Sequence, residues 1–216
     1  LPIHTHIASK ELRESHIMTW NRRRFVGAMA AGTAGLIAPR CFATVRSGEA
    51  NALLPRAMAA LNAHGKAIPH RDLVGIVDFS APSHVPRLHL VDIGNGRVAT
   101  SLLVAHGRGS DPANSGWVAR LSNRPGSNAS CEGAFVTGET YMGQHGRSRR
   151  LAGLEMQNSQ AAARGIVIHA ASYVDGGLAE TQGRIGRSLG CFAVSRDAIG
   201  EVLARLGSGR LLYAAK

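Results

Sequence analysis

The feature that most constrains this chain is a pair of strand-like runs around a glycine turn. Arg87-Leu88-His89-Leu90-Val91-Asp92-Ile93 alternates with period two, Gly94-Asn95-Gly96 follows, and Arg97 to His106 returns. Two strands joined by so short a turn run antiparallel, which makes this region a β-meander and excludes a βαβ unit here. Leu73 to Phe79 reads as a strand before it, with Pro82 and Pro86 bracketing a turn. Further strands are expected from Ala134 to Thr137, over Leu151 to Leu154, and in a closing run Leu211-Leu212-Tyr213. Helical spacing appears twice. Leu54, Met58 and Leu61 share one face between Ala50 and a C-capping Gly65, and Asp197 to Leu206 is capped by Ser195 and closed by Gly207. The expected fold class is mixed and mainly β, one domain with flanking helices at its two ends. Gly107 to Asn128 is polar and rich in Gly, Ser, Asn and Pro, and a loop this long in a compact domain is expected either to have a function or to be mobile.

The chain has 216 residues, 44% of them hydrophobic, enough to bury a core. Its formal net charge is +11. Residues 1–43 hold six basic against two acidic side chains, a net of +4, leaving +7 for the remainder. Such a surface draws polyanions. Aromatic residues make up only 5% and no basic-aromatic platform occurs, so nucleic acid is not the expected partner. Residues 1–17 show no clear period and precede Met18; they read as an upstream extension. From Met18 a basic segment (Arg22, Arg23, Arg24) precedes a weakly apolar run, Phe25 to Ala38, and small residues around Cys41-Phe42-Ala43. That is the layout of a signal peptide over 18–43, too short for a stable membrane span. Arg22-Arg23-x-Phe25-Val26 resembles the twin-arginine export motif, so the expected location is the periplasm after cleavage near Ala43. Residues 44–69 form a helical lead-in and 70–216 the main domain.

The chemistry concentrates between Arg164 and Val194. Ile166-Val167-Ile168 is a strand-like run that delivers His169, and a glycine-dense loop then leads through Ser188-Leu189-Gly190 to Cys191. A thiol nucleophile needs a base within hydrogen-bond reach and donors aimed at the developing oxyanion. Gly190 lets the backbone turn sharply and present the amides of Gly190 and Cys191. Twenty-two positions separate His169 from Cys191, which suits a strand-loop-strand return that sets them together. A lone cysteine is more often a small buried hydrophobe, and a lone histidine a satisfied core residue. The glycine turn and the export signal weigh the other way. The three cysteines, Cys41, Cys131 and Cys191, match no zinc or disulfide framework, and Cys131 reads as a partly buried spare thiol. His106, with His89 and His145 elsewhere, fits no metal-ligand spacing, so neither metal nor cofactor is expected.

His169 followed by Ser188-x-Gly190-Cys191 resembles the active-site signature of the L,D-transpeptidase (YkuD-like) catalytic domain. Val77-Asp78-Phe79-Ser80, Val104 to Asp111, Thr137 to Tyr141 and Gly186 to Val194 resemble its divergent murein L,D-transpeptidase catalytic domain branch. The likeness covers roughly residues 70–213. It implies a β-sandwich-like fold in which a cysteine forms a thioester with a peptidoglycan stem peptide, resolved by an amine. Carried over by position, Cys191 is the nucleophile and His169 the base, and the Ala170 carbonyl orients the imidazole. Ser188, Gly190 and the Cys191 amide frame the substrate carbonyl, and Tyr141 and His145 sit on a flap that binds substrate. Apart from the resemblance, His106 and Asp111 are expected to organise the long loop beside the site, with His106 also counted among the substrate-binding positions.

Three positions depart from the main branch. Leu189 stands in place of a histidine, Ala170 in place of a glycine, and Phe192-Ala193-Val194 where an arginine is found. Arg184 or Arg187 is the expected carboxylate contact in its stead, by bidentate geometry. The expected activity is formation of 1-3 or 3-3 cross-links between stem peptides. The same cysteine with water as acceptor would give an L,D-carboxypeptidase or endopeptidase, and a non-catalytic cell-wall-binding protein is the reading from another class. Oligomeric state is not encoded in any of these features.

Overall fold

The computed structural model describes residues 47–216, and the readings of 1–17 and 18–43 lie outside that range. The described residues open with helix α1, Ser47–Ala63, which carries Pro55. Strands β1 (Leu73–Asp78), β2 (Leu88–Asp92) and β3 (Arg97–Leu102) follow as an antiparallel meander. The β2–β3 turn is fastened by Asp92, whose carboxylate accepts from the Gly94 N–H at 2.8 Å. After the long loop come β4 (Gly133–Gly143) and β5 (Gly146–Gly153), a 3₁₀ turn at Met156–Asn158, and β6 (Val167–Ala170). Helix α2 (Gly176–Gln182), β7 (Phe192–Val194), α3 (Ile199–Arg205) and β8 (Leu211–Ala215) complete it.

The strands form one eight-stranded sheet in the order β3-β2-β1-β8-β4-β5-β6-β7. The mainly β class and the closing strand are as read, while other stretches differ from the sequence reading. The closing run is the fourth strand of the sheet: β8 lies between β1, parallel to it, and β4, antiparallel to it. Residues 138–147, given no element in the sequence reading, are the outer half of a long β4–β5 hairpin. The segment 176–182, read as glycine loop, is helical because the Asp175 carboxylate caps the Leu178 N–H at 3.0 Å and Gly183 ends the helix at φ 63°.

The return strand ends at Leu102 and not at His106, because the chain there changes partners. The Ala105 N–H donates to the Ala193 carbonyl at 2.8 Å, and Gly107 bridges Ser188, so the segment beyond β3 lies against β7 at the opposite edge of the sheet. The sheet therefore curls around an inner core that includes Val77, Leu90, Phe135, Ile168, Phe192 and Leu212. A second layer, Val74, Ile76, Leu211 and Tyr213, lies on the other face with Leu53, Ala57 and Leu61 of α1. With both faces covered, β2 buries four of its five residues, so its period-two pattern marks alternate cores rather than core and solvent.

Candidate active site

Cys191 stands at the entry to β7 and His169 on the neighbouring parallel strand β6, where His169 pairs in register with Ala193. Phe192, one residue past the thiol, anchors the turn. It is buried, edge-on to Phe135 at 5.4 Å and stacked with Phe79 at 6.0 Å between ring centroids. Gly190 adopts φ 121°, and a Cβ there would lie 2.8 Å from the Ala129 carbonyl oxygen, so only glycine fits the turn without strain. Gly107 is held equally close, since a Cβ on it would lie 2.7 Å from the Gly190 nitrogen.

Serines fasten this junction. The Ser188 hydroxyl accepts from the Gly190 N–H at 3.1 Å and donates to the Cys191 carbonyl at 2.7 Å. The Ser130 hydroxyl donates to the Gly190 carbonyl at 3.1 Å and accepts from the Gly107 N–H at 3.0 Å, and the Ser130 N–H donates to Ser110 Oγ at 3.0 Å. This corrects part of the sequence reading. The Gly190 amide and the Ser188 hydroxyl are satisfied inside the turn and hold its shape. Among the described residues the Cys191 N–H has no acceptor.

The His169 ring is 2% exposed. Its Nδ1 lies 2.9 Å from the Ala170 carbonyl. A carbonyl only accepts, so Nδ1 carries the proton and Nε2 keeps its lone pair, the tautomer a general base requires. His145, in the turn of the β4–β5 hairpin, stacks on this ring at 4.2 Å with an interplanar angle of 20°. Burial lowers the His169 pKa, the bond to Ala170 opposes that, and His145 adds to it. Tyr141 is on the same hairpin, but its ring packs against the Arg150 guanidinium at 4.4 Å.

Cys191 Sγ donates to the Gly165 carbonyl at 3.5 Å. Burial raises its pKa, against the Val167 N–H and the Arg164 charge, which lower it. Burial thus disfavours the charged form of both the base and the nucleophile. Cys131 is fully buried rather than partly, its thiol pushed up to about 11 by burial.

His106 is not at the surface. It is fully buried, accepting at Nδ1 from Arg87 Nη2 (2.7 Å) and donating from Nε2 to Asp111 (3.4 Å). Asp111 in turn accepts from the Ser115 and Gly116 N–H groups at 2.8 Å. His106 and Asp111 thus organise the long loop, and burial removes His106 from substrate contact. Arg187 is half-buried and donates to the Asp111 carbonyl, and Arg184 reaches only the Gln182 carbonyl at 3.4 Å. Neither arginine is brought to the thiol.

Two residues near the thiol were given no role from sequence. Arg164 donates to the Ser122 and Ala129 carbonyls and lies 3.6 Å from Cys131 Sγ, tying the long loop to the start of β6. Tyr173 is half-buried under Gly186, its hydroxyl pushed up to about 12 by burial and by the nearby Cys191. The cue for Arg164 was its place directly before the strand that carries the histidine. No pattern marks Tyr173. Among the described residues no group of side chains is arranged to hold a metal ion, and no helix is long and apolar enough to cross a membrane.

A model of the L,D-transpeptidase catalytic domain matches residues 47–215 of this chain. The chain belongs to that family. Its L,D-transpeptidase domain is similar to solved structures at low identity. One is an L,D-transpeptidase from Mycobacterium smegmatis (13% identity, 67% of this chain and 59% of that one, TM-score 0.42). A second is L,D-transpeptidase 3 from Mycobacterium tuberculosis (12%, 67% and 61%, TM-score 0.43). A third is the L,D-transpeptidase of Xylanimonas cellulosilytica (17%, 74% and 70%, TM-score 0.40). The chain spans about three fifths of the first two structures' length. No curated protein matches it significantly.

Proposed function

We propose that this L,D-transpeptidase-family domain transfers acyl groups of peptidoglycan stem peptides through a thioester on Cys191, in the periplasm. The observation that carries the reading is the strand-paired His169 with its Nδ1–H fixed on the Ala170 carbonyl, beside a cysteine on a glycine turn. Substrate entry displaces His145 and turns Sγ from Gly165 towards the acyl carbon. His169 Nε2 takes the thiol proton as sulfur attacks, and the Cys191 N–H receives the oxyanion. Collapse expels the amine, which takes the proton from His169. An acceptor amine then attacks the thioester carbonyl, gives its proton to His169, and releases the thiol. Water in place of the amine would give hydrolysis, so the outcome depends on how far the acceptor side excludes water.

The test is mass spectrometry of muropeptides after incubation with the protein and with Cys191→Ala. Cross-linked dimers from the parent alone are expected, and their linkage separates 1-3 from 3-3. Trimmed monomers without dimers would make it a hydrolase. Unchanged muropeptides with both proteins would leave a binding protein.

A further inference from the structure

Two clefts of about 690 and 390 Å³ meet at Pro125 and Gly126 in the long loop. Arg120 and Arg124 line the first, and Arg164 and Leu189 line the second. Together they form one groove ending at Leu189, two residues before Cys191. No acidic side chain lines it. Among the described residues neither Arg120 nor Arg124 is in an ion pair. Arg120 makes one side-chain bond, to the Gly109 carbonyl at 3.0 Å, and Arg124 makes none. The guanidinium of Arg164 is taken up by the Ser122 and Ala129 carbonyls, so the groove offers the two exposed guanidinium charges of Arg120 and Arg124 with no carboxylate of the chain against them, and its charge complement is a ligand bearing carboxylates.

Its position says which ligand. Along the chain into β6, Ala163 and Arg164 line the groove, Gly165 and Val167 are the partners of Cys191 Sγ, and His169 follows on the same side of the strand as Val167. Along this strand the thiol's partners Gly165 and Val167 come between Arg164, at the groove, and His169. The leaving amine must be protonated by His169, and by microscopic reversibility the incoming amine occupies the same place. Leaving group and acceptor thus belong on the His169 side. The acyl part that stays on sulfur belongs on the other.

We infer that the groove lined by Arg120 and Arg124 is the acyl-donor subsite, its two arginines recognising free carboxylates on the donor peptide. This rests on the acyl-transfer reading above. It assigns donor recognition to the long loop rather than to Arg184 or Arg187.

The experiment is calorimetric binding to the Cys191→Ala protein, in which no thioester can form. The probes are a diaminopimelate-containing stem tetrapeptide and the same peptide with only the carboxylates of its acyl part amidated and that of the leaving residue kept free. The free-carboxylate peptide should bind about tenfold tighter, and Arg124→Glu should reduce that preference to about twofold or less. Added salt should weaken the free peptide and spare the amide. Arg124 makes no side-chain bond, so Arg124→Glu keeps the fold, checked by its unfolding midpoint. Equal affinity for the two peptides, or a preference unchanged in Arg124→Glu, overturns the assignment. A thioester assay on the parent separates the two readings. Carboxylate-selective binding without a thioester sinks the catalytic reading and leaves the groove. A thioester without Arg124-dependent selectivity does the reverse.

Discussion

At the scale of single residues, burial works against charge on both reacting groups. Burial raises the Cys191 thiol and lowers the His169 imidazole. A resting thiolate–imidazolium pair would make alkylation plateau in mildly acidic solution. Here the rate of Cys191 alkylation by iodoacetamide should instead keep climbing past about pH 8.5, the ordinary cysteine value. A plateau below neutrality would contradict a neutral resting pair. His145 covers the base from one face. Removing it in His145→Ala exposes the ring to water and takes away a like charge, so the His169 pKa should rise towards the ordinary imidazole value, followed by NMR. His145→Phe keeps the stacked face and should hold the pKa down. If both variants give the same titration, the stack does not govern the base. The nucleophile turn is equally specific: Gly190→Ala puts a Cβ at φ 121°, 2.8 Å from the Ala129 oxygen. It should cost about 1–3 kcal/mol in urea unfolding and most of the thiol reactivity. Parent-like values in both would show that the turn tolerates a side chain.

At the scale of elements, the histidine strand, the meander and the two end helices were legible because each is a local pattern: an apolar run, a Gly-Asn-Gly turn, a helical stripe. What was not legible depends on contacts distant in sequence. Nothing in Leu211 to Ala215 says that it inserts between β1 and β4, since that follows from matching apolar faces on both sides. Helix α2 was hidden because Gly176-Gly177 opposes helix formation, and the Asp175 cap and tertiary packing override it. The Gly190 amide was expected to face substrate, and only the side-chain rotamer of Ser188 decides otherwise. β7 is three residues long and its position depends on Phe192 wedged between Phe79 and Phe135. Phe192→Ala should therefore destabilise the domain by about 3–5 kcal/mol in denaturant unfolding. A loss below about 1 kcal/mol would mean that the sheet, and not this side chain, fixes the turn.

At the scale of the whole domain, the buried Arg87–His106–Asp111 chain ties the long loop to the β-core. His106 accepts from Arg87, so a second ring proton has no acceptor there, and its pKa is pushed down to about 4 by burial and then by Arg87. The unfolded chain takes up that proton near pH 6.5 and the folded one does not. His106 therefore contributes its full stability above about pH 6.5, and loses it as pH falls towards about 4. Between pH 7 and 5 this group alone should remove about 2 kcal/mol of unfolding free energy. The fall should be absent in a His106→Asn protein that still folds, and an equal fall there would assign it to other groups. The cation, the imidazole and the polar loop were visible in sequence only as separate residues, because their pairing spans the sheet. Above all of these stands the acyl-enzyme. Intact-mass spectrometry of the protein mixed with a stem tetrapeptide should show one added acyl group, lost on treatment with hydroxylamine and located by fragmentation on Cys191. No adduct on the parent protein, or the same adduct on Cys191→Ala, would contradict the account.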